Sequence, residues 1–457
     1  SANIVTTVSV AALNDDAPVL AGMRSDATGY AKATDAAAFT EAGTAVVLES
    51  NLTVADSDHT NLNSVMVQVA EGYVKGEDKL ALVTDGGAGT VGDGFTAAWD
   101  ADTGTLTISG NKTLAQYQAA LRTVTYDNEN NDNPSTTDRK VEWRLYDGAN
   151  YSALKETDVL VSSTNDAPTL SGDGDSVQFT EGTPVIIDNN LVLADVDSAN
   201  LNGATVKITN YKAGDQLLFT PTAGISITGT ATGVVDTTVT PNTLTLTLTG
   251  ADTVEAYEAA LRSIRFNNTG DNPDTTNRTI EWNVTDVSAD STQVQSLASA
   301  GTSTVTISAV NDAPVLTGGG NTIQFSEGDA AVVLDNGIAL SDPEGSTVTT
   351  VTVQLAGDGV AITNSEVLDF DATASTKVTG TLSNNNRTLT VTNTNNAANS
   401  DFQALLRTVK YANTDTATLD GNRTITFSAV ETVGTDNFTS ANIVTTVSVA
   451  ALNDDAP

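Results

Sequence analysis

Residues 303–314 read Ser303-Thr304-Val305-Thr306-Ile307-Ser308-Ala309-Val310-Asn311-Asp312-Ala313-Pro314, an alternating Thr/Val/Ile run that stops in a short polar stretch ending on proline. Alternation of this kind marks a half-buried strand, and Asn-Asp-Ala-Pro, which cannot continue it, marks a linker. The same linker stands at Asn165-Asp166-Ala167-Pro168. With one extra aspartate it also stands at Asn14-Asp15-Asp16-Ala17-Pro18 and returns at Asn453. Residues 1–18 recur letter for letter at 440–457, so the chain repeats after 439 residues, and that period divides into three modules of roughly 145 residues. The implied boundaries are 1–13 for the last strand of a preceding repeat, 14–164, 165–310 and 311–452 for three β-sandwich modules, and 453–457 for a linker onward.

Between linkers the modules carry the same landmarks in the same order. An aromatic-Thr/Ser-Glu element comes first, at Phe39-Thr40-Glu41, Phe179-Thr180-Glu181 and Phe325-Ser326-Glu327. An acidic pair follows an apolar run: Asp56 and Asp58, Asp195 and Asp197, Asp342 and Glu344. Later comes a short helical patch at 117–122, 257–262 and 402–407. Tyr117 and Leu121, four residues apart, should plug the sandwich edge rather than meet a partner, and Arg122, Arg262 and Arg407 should pair with nearby acids. Trp143 with Trp282, and Tyr126 with Phe266 and Tyr411, fall at matching positions and read as core anchors. Runs such as Thr243-Leu244-Thr245-Leu246-Thr247-Leu248 recur between turn signals. The fold class expected is all-β: tandem antiparallel β-sandwich modules in an extended array, with one short helix per module.

The formal net charge of −37, from 57 Asp and Glu against 20 Lys and Arg, excludes nucleic acid or an anionic membrane as partner of a broad basic face. No apolar run approaches the roughly 18 residues of a membrane span, so no direct membrane insertion is expected, and any targeting signal lies off this stretch. There is no cysteine, and His59 is the one histidine. A histidine triad or zinc site therefore lacks its parts, and no enzyme is expected. Gly87-Ala88-Gly89-Thr90-Val91-Gly92 spells a dinucleotide fingerprint without a following helix. Residues 127–138 imitate a helix-loop-helix calcium loop, but Asp132 stands where that loop needs glycine.

Strand direction gives the acids a meaning. In module 2, if the linker is the top, the first strand descends to Glu181 and the stretch 184–193 climbs back to set Asp195 and Asp197 beside Asp166. The strand at 263–267 then descends into the Asn/Asp-rich loop, and that starting at Arg278 climbs to deliver Asp286 to the top. Glu41, Asp132, Asp166, Asp195, Asp197 and Asp286 should thus converge between modules 1 and 2. The next junction collects Glu181, Asp271, Asp312, Asp342, Glu344 and Glu431, and the first collects Asp15, Asp16, Asp56, Asp58 and Asp147. Glu327, Asp454 and Asp455 hold the same places at the far end of module 3. Carboxylates so crowded repel unless a hard cation joins them, and calcium, which takes six to eight oxygens in flexible geometry, is the cofactor expected. The bland alternative is that these are solvated turn residues.

On the linkers, the Glu-Gly elements and the Asp-x-Asp pairs, the chain resembles the bacterial cadherin-like or immunoglobulin-like tandem repeats of giant surface adhesins. The resemblance implies calcium shared between the linker acid, the acid at the first strand's end and the Asp-x-Asp pair. Alanine follows Glu41 instead of glycine, module 3 reads Asp342-Pro343-Glu344, and Glu431 replaces an aspartate. The modules are long for the family, which implies inserted hairpins near 75–99 and 221–241. The expected function is an extracellular, cell-surface spacer whose partners are neighbouring repeats. Alternatives are a self-assembling subunit with homotypic fibre or layer contacts, and a glycan-binding module.

Overall fold

The computed structural model describes residues 13–27, 29–83, 94–286, 294–415 and 420–451. Asp454, Asp455, the first twelve residues and the 87–92 glycine run lie outside them. The described chain is all-β, a tandem series of β-sandwich modules, and module 2 serves as the template.

Its large sheet runs in the order Ser176–Thr180, Gly301–Ser308, Arg278–Asp286, Asn200–Ile208, Thr243–Thr253 and Ser226–Thr228. The facing sheet has three strands, Val185–Ile186, Arg265–Asn268 and Asp215–Leu218. Thr169–Ser171 pairs with Val192–Ala194 as a separate two-stranded ribbon at the linker end. Modules 1 and 3 repeat this plan. Leu201, Val206, Ile208, Leu246, Trp282 and Val284 fill the space between the sheets at 0% exposure, on the alternate positions that the period-two pattern turns inward. The anchors Trp143, Tyr126, Phe266 and Tyr411 are equally buried.

Three details differ from the sequence reading. Ser176–Thr180 pairs with Gly301–Ser308 in parallel, as do Ala37–Thr40 with Lys155–Ser162 and Thr322–Ser326 with Ile443–Ala450, whereas the remaining strand pairs of the sheets are antiparallel. First and last strands both descend, so they lie side by side without a hairpin. The climbing stretch 184–193 is two short strands in different layers, because residues 188–190 turn at Asp188, whose carboxylate accepts the Asn190 N–H at 3.0 Å. Among the described residues, the segments near 75–99 and 221–241 form no hairpin of their own. Asp78–Leu82 joins the small sheet, Thr96–Asp100 edges the large one, and Ser226–Thr228 and Val234–Asp236 lie in succession along Thr243–Thr253.

Each module is stitched sheet to sheet by a fully buried ion pair that the sequence reading passed over: Arg139 with Asp78, Arg278 with Asp215, Arg423 with Glu366. In module 3 the Arg423 Nε–Glu366 Oε2 separation is 2.5 Å, and the Tyr411 hydroxyl donates to the same oxygen at 2.7 Å. Burial pushes the Glu366 carboxyl up. Hydrogen bonds from Arg423, the Thr363 N–H and Tyr411, with the arginine's charge, outweigh it and hold the carboxyl below the ordinary glutamate value. A lowered carboxyl stabilises the fold above its unfolded value of about 4.3 and loses that contribution as pH falls through the lower folded value. Acid titration of the folded chain followed by circular dichroism should therefore show a loss of stability beginning below about pH 4.3 that is weaker in Glu366→Gln.

The short helices Leu114–Leu121, Val254–Arg262 and Asn399–Leu406 close the linker end. Thr113 and Thr253 cap the first two by accepting N–H bonds from Gln116 and Ala256. Tyr117, Leu121, Tyr257, Leu261, Phe402 and Leu406 are buried, as plugs should be. Module 1 carries two further helical turns, Arg24–Asp26 and Lys32–Asp35.

Candidate metal centres at the module junctions

The strand carrying each acidic pair is held by the helix beside it. Arg122, Arg262 and Arg407 donate Nε–H to the carbonyls of Leu52, Leu191 and Ile338 at 2.8, 2.6 and 2.9 Å. Among the described residues only Arg262 also meets an acid, Glu258, at 2.8 Å, so there the expected pairing with acids is not seen at the other two helix ends, where the carbonyl and, for Arg407, Gln403 are the partners. A second helical side chain fixes the same strand one turn away: Gln118 accepts from Val54 N–H, Glu258 from Leu193 N–H, and Gln403 donates to Leu340 O. The loops that follow these strands carry Asp56 and Asp58, Asp195 and Asp197, Asp342 and Glu344.

The first acid of each pair folds its own loop. Asp195 Oδ1 accepts the N–H groups of Asp197 and Ser198 at 3.2 and 2.8 Å, Asp56 Oδ1 those of Asp58 and His59, and Asp342 Oδ1 those of Glu344 and Ser346. The second acid takes hold of the linker. Asp197 Oδ2 accepts the Asp166 N–H at 3.1 Å, Glu344 Oε2 the Asp312 N–H at 3.1 Å, and Asp58 Oδ2 the N–H groups of Asp15 and Asp16 at 2.7 and 2.9 Å. The linker asparagine, not singled out from sequence, donates to the acid at the far strand end: Asn165 to Asp286 at 2.6 Å and Asn311 to Glu431 at 3.4 Å. Asp286 gives its other oxygen to the Gln295 N–H. Asp147 uses one oxygen on the Ala149 and Asn150 N–H groups.

From the module before, parallel pairing of first and last strands brings the third party. The Glu41 carboxylate accepts the Thr164 N–H at 2.6 Å, and that of Glu181 accepts the Val310 N–H at 2.9 Å. Glu181, Asp271 and Asp312 line one groove beside the Asn311 linker. Glu327 is buried at the foot of module 3, its N–H on the Ala450 carbonyl. The Asn/Asp loops reach across: Asn133 donates to the Val196 carbonyl and Asn272 to the Pro343 carbonyl, at 2.8 and 3.3 Å.

Nine described carboxylates at these joints keep one buried oxygen without a hydrogen-bond partner. At the junction of modules 1 and 2 they are Glu41 Oε1, Asp166 Oδ2, Asp195 Oδ2 and Asp197 Oδ1. At the head of module 1 they are Asp56 Oδ2, Asp58 Oδ1 and Asp147 Oδ2, joined there by Asn14 Oδ1. Between modules 2 and 3 they are Asp342 Oδ2 and Glu344 Oε1. Buried acids elsewhere are satisfied: Glu49 by Thr157, Asp188 by Ser303, Asp335 by the Gly319 and Gly337 N–H groups. Burial pushes the Asp195 carboxyl up to about 6, and the adjacent Asp197 adds to it. Burial also raises Asp166 and Glu41; the charges of Asp197 and Asp132 act on the first, those of Asp166 and Asp197 on the second. At the first junction the sign reverses for Asp58, held down to about 2 by the Asp16 N–H and then the Asp15 N–H, against burial. Among the described residues no three acids are drawn into a closed ligand cluster.

No family model matches the chain. Halomucin of Haloquadratum walsbyi is 29% identical over 123 residues, which are 26% of this chain and 1% of that protein. The chain thus spans about a hundredth of that relative's length. Among solved structures, the five extracellular cadherin domains of protocadherin gamma B2 cover 97% of the chain at 13% identity and a TM-score of 0.30, with 61% of that structure covered. Mouse cadherin-23 domains EC22–24 cover 96% at 11% identity and a TM-score of 0.30, over 100% of that structure. The human desmocollin-1 ectodomain covers 97% at 14% identity and a TM-score of 0.25, with 63% of it covered. No helix among the described residues is long and apolar enough to cross a membrane.

Proposed function

We propose that the chain is a unit of an extracellular, adhesive or structural repeat array, a calcium-stiffened spacer of a giant bacterial surface adhesin. The observation that carries this reading is the set of buried, unpartnered carboxylate oxygens at the joints. An anionic oxygen removed from water with no donor is costly, and acids elsewhere in the modules avoid that cost. A hard cation resolves it in one step. The donors are all oxygen, contributed by two modules and the linker between them, which suits calcium and not zinc or copper. Glu41, Asp166, Asp195 and Asp197 would hold it at the middle joint, Asp56, Asp58, Asp147 and the Asn14–Asp16 linker at the head, and Glu181, Asp312, Asp342 and Glu344 at the third. Asp132 and Asp271 stand at the rim, and Asp286 and Glu431 tether the linker asparagines. Bound there, the ion would neutralise the crowded charge and tie the two modules to one another.

Small-angle scattering of the chain in millimolar calcium and then in chelator tests this. The expected result is an extended particle whose maximum dimension shortens on average and whose profile turns flexible when calcium is withdrawn, with a midpoint near 0.1–1 mM calcium. Scattering that is the same in both conditions would leave the acids as turn residues. Association that grows with protein concentration only in calcium would instead favour a fibre or surface layer built from the same modules.

A further inference from the structure

We propose that the Asp-Asn-Pro loops at the feet of modules 1 and 2 are latches that hold the next module without metal. Asn133 and Asn272 each grip the carbonyl of the residue between that module's paired acids. This goes beyond the calcium reading, because the contact uses an amide donor and a backbone acceptor and needs no cation.

Two junctions show the same bond independently. Asn133 Nδ2–H donates to Val196 O, inside Asp195-Val196-Asp197, and Asn272 Nδ2–H donates to Pro343 O, inside Asp342-Pro343-Glu344. In both loops the next residue is proline, Pro134 or Pro273, and in both the proline is buried while the asparagine is exposed. A proline anchored in the module and fixed in φ confines the preceding residue to extended backbone. The asparagine is thereby presented outward on a stiff mount. In module 1 the loop is further braced, since Asn130 Oδ1 accepts the N–H groups of Asp132 and Asn133 and Asn130 Nδ2–H donates to the Asn133 carbonyl. The acceptor is equally fixed, because Asp195 and Asp342 fold the loop that carries it. Both ends of the bond are ordered before they meet, so little freedom is lost in making it. Module 3 has no proline between Tyr411 and Arg423. It cannot present the same latch, so memory of direction without metal belongs to the joints that follow modules 1 and 2.

The chain has no cysteine, so two can be introduced for spin labels without background. Thr107→Cys with Thr279→Cys spans the first latch, and Thr279→Cys with Thr381→Cys the second; all three sites are exposed strand positions. Pulsed dipolar spectroscopy then reads the inter-module distance distribution. In chelator, the chain with both latches should keep one dominant distance at each joint. Asn133→Ala should raise the share of other distances at the first joint by about fivefold, the factor that one hydrogen bond supplies, and leave the second unchanged; Asn272→Ala should do the converse. Asn131→Ala, in the same loop, should do neither, and Trp fluorescence should confirm that every variant is folded. An unlatched variant as narrow as the parent, or a parent as broad as the variants, overturns the latch. If calcium narrows no distribution while Asn133→Ala still broadens the first, the latch stands and the calcium reading falls; narrowing by calcium with no effect of either asparagine gives the reverse.

Discussion

Arg278→Met is expected to unfold module 2 well below its neighbours, at a cost of about 3–5 kcal/mol, the range for a buried ion pair that loses one partner. Arg278 and Asp215 are both at 0% side-chain exposure, and Nε lies 2.7 Å from Oδ2. The guanidinium also satisfies the carbonyls of Thr276 and Asp274, so its removal strips two acceptors as well as the counter-charge. Methionine replaces much of the volume but no donor. Asp215 would keep only the Lys212 N–H and the Asn268 amide, at 2.8 Å each. In module 1 the Tyr126 hydroxyl also donates to Asp78 and in module 3 that of Tyr411 donates to Glu366, whereas module 2 has Phe266 there. Arg278→Met should therefore cost more than Arg139→Met or Arg423→Met. Trp282 is the one tryptophan of module 2, so denaturant unfolding followed by its fluorescence isolates the effect once Trp99 and Trp143 are replaced by phenylalanine. The double variant Arg278→Met/Asp215→Leu should recover most of the loss, because no buried charge then remains. A single variant costing under about 1 kcal/mol would mean that water reaches the carboxylate and that the pair is not a sheet-to-sheet stitch.

That stitch was legible in the sequence, but through a different pattern from the one followed. Arg278, Ile280, Trp282 and Val284 share one side of an alternating strand, so the arginine must point inward with the tryptophan. Its burial then demands an acid, which the strand opening at Asp215 supplies. The modules and their linkers could be read because Asn-Asp-Ala-Pro ends each last strand and because alternation such as that of 243–248 has few other solutions. Orientation was only half readable. Tracking each strand up or down placed Glu181 by the Asn311 linker and Asp195 by the Asn165 linker, where their loops lie, yet alternation is identical in parallel and antiparallel pairs, so the parallel seam between Ser176–Thr180 and Gly301–Ser308 left no mark. The latch asparagines were invisible for a related reason. Asn-Pro in a polar loop spells a turn, and only the burial of Pro134 and Pro273 and the proximity of the next module give Asn133 and Asn272 a partner.

At the joint itself the sharpest expectation is a change of sign. Asp195→Asn/Asp197→Asn keeps a side-chain oxygen at each site, so the N–H groups of Asp197, Ser198 and Asp166 still find acceptors. What it removes is charge. Without metal, burial and the neighbouring carboxylate already oppose ionisation of Asp195, so neutralising the pair should leave stability unchanged or raise it by about 0–1 kcal/mol. With calcium at a hundredfold over its dissociation constant, the parent gains about 2.7 kcal/mol per site that the variant forgoes. The variant should thus melt at or above the parent in chelator and below it in calcium, by scanning calorimetry, and isothermal titration should lose the heat of the middle joint while the head site on Asp56, Asp58 and Asp147 persists. Equal destabilisation in both conditions would identify Asp195 and Asp197 as turn-forming residues whose work is done by their hydrogen bonds alone. The two unpartnered oxygens, Asp195 Oδ2 and Asp197 Oδ1, favour the crossing, since a turn needs only the oxygens that already have partners.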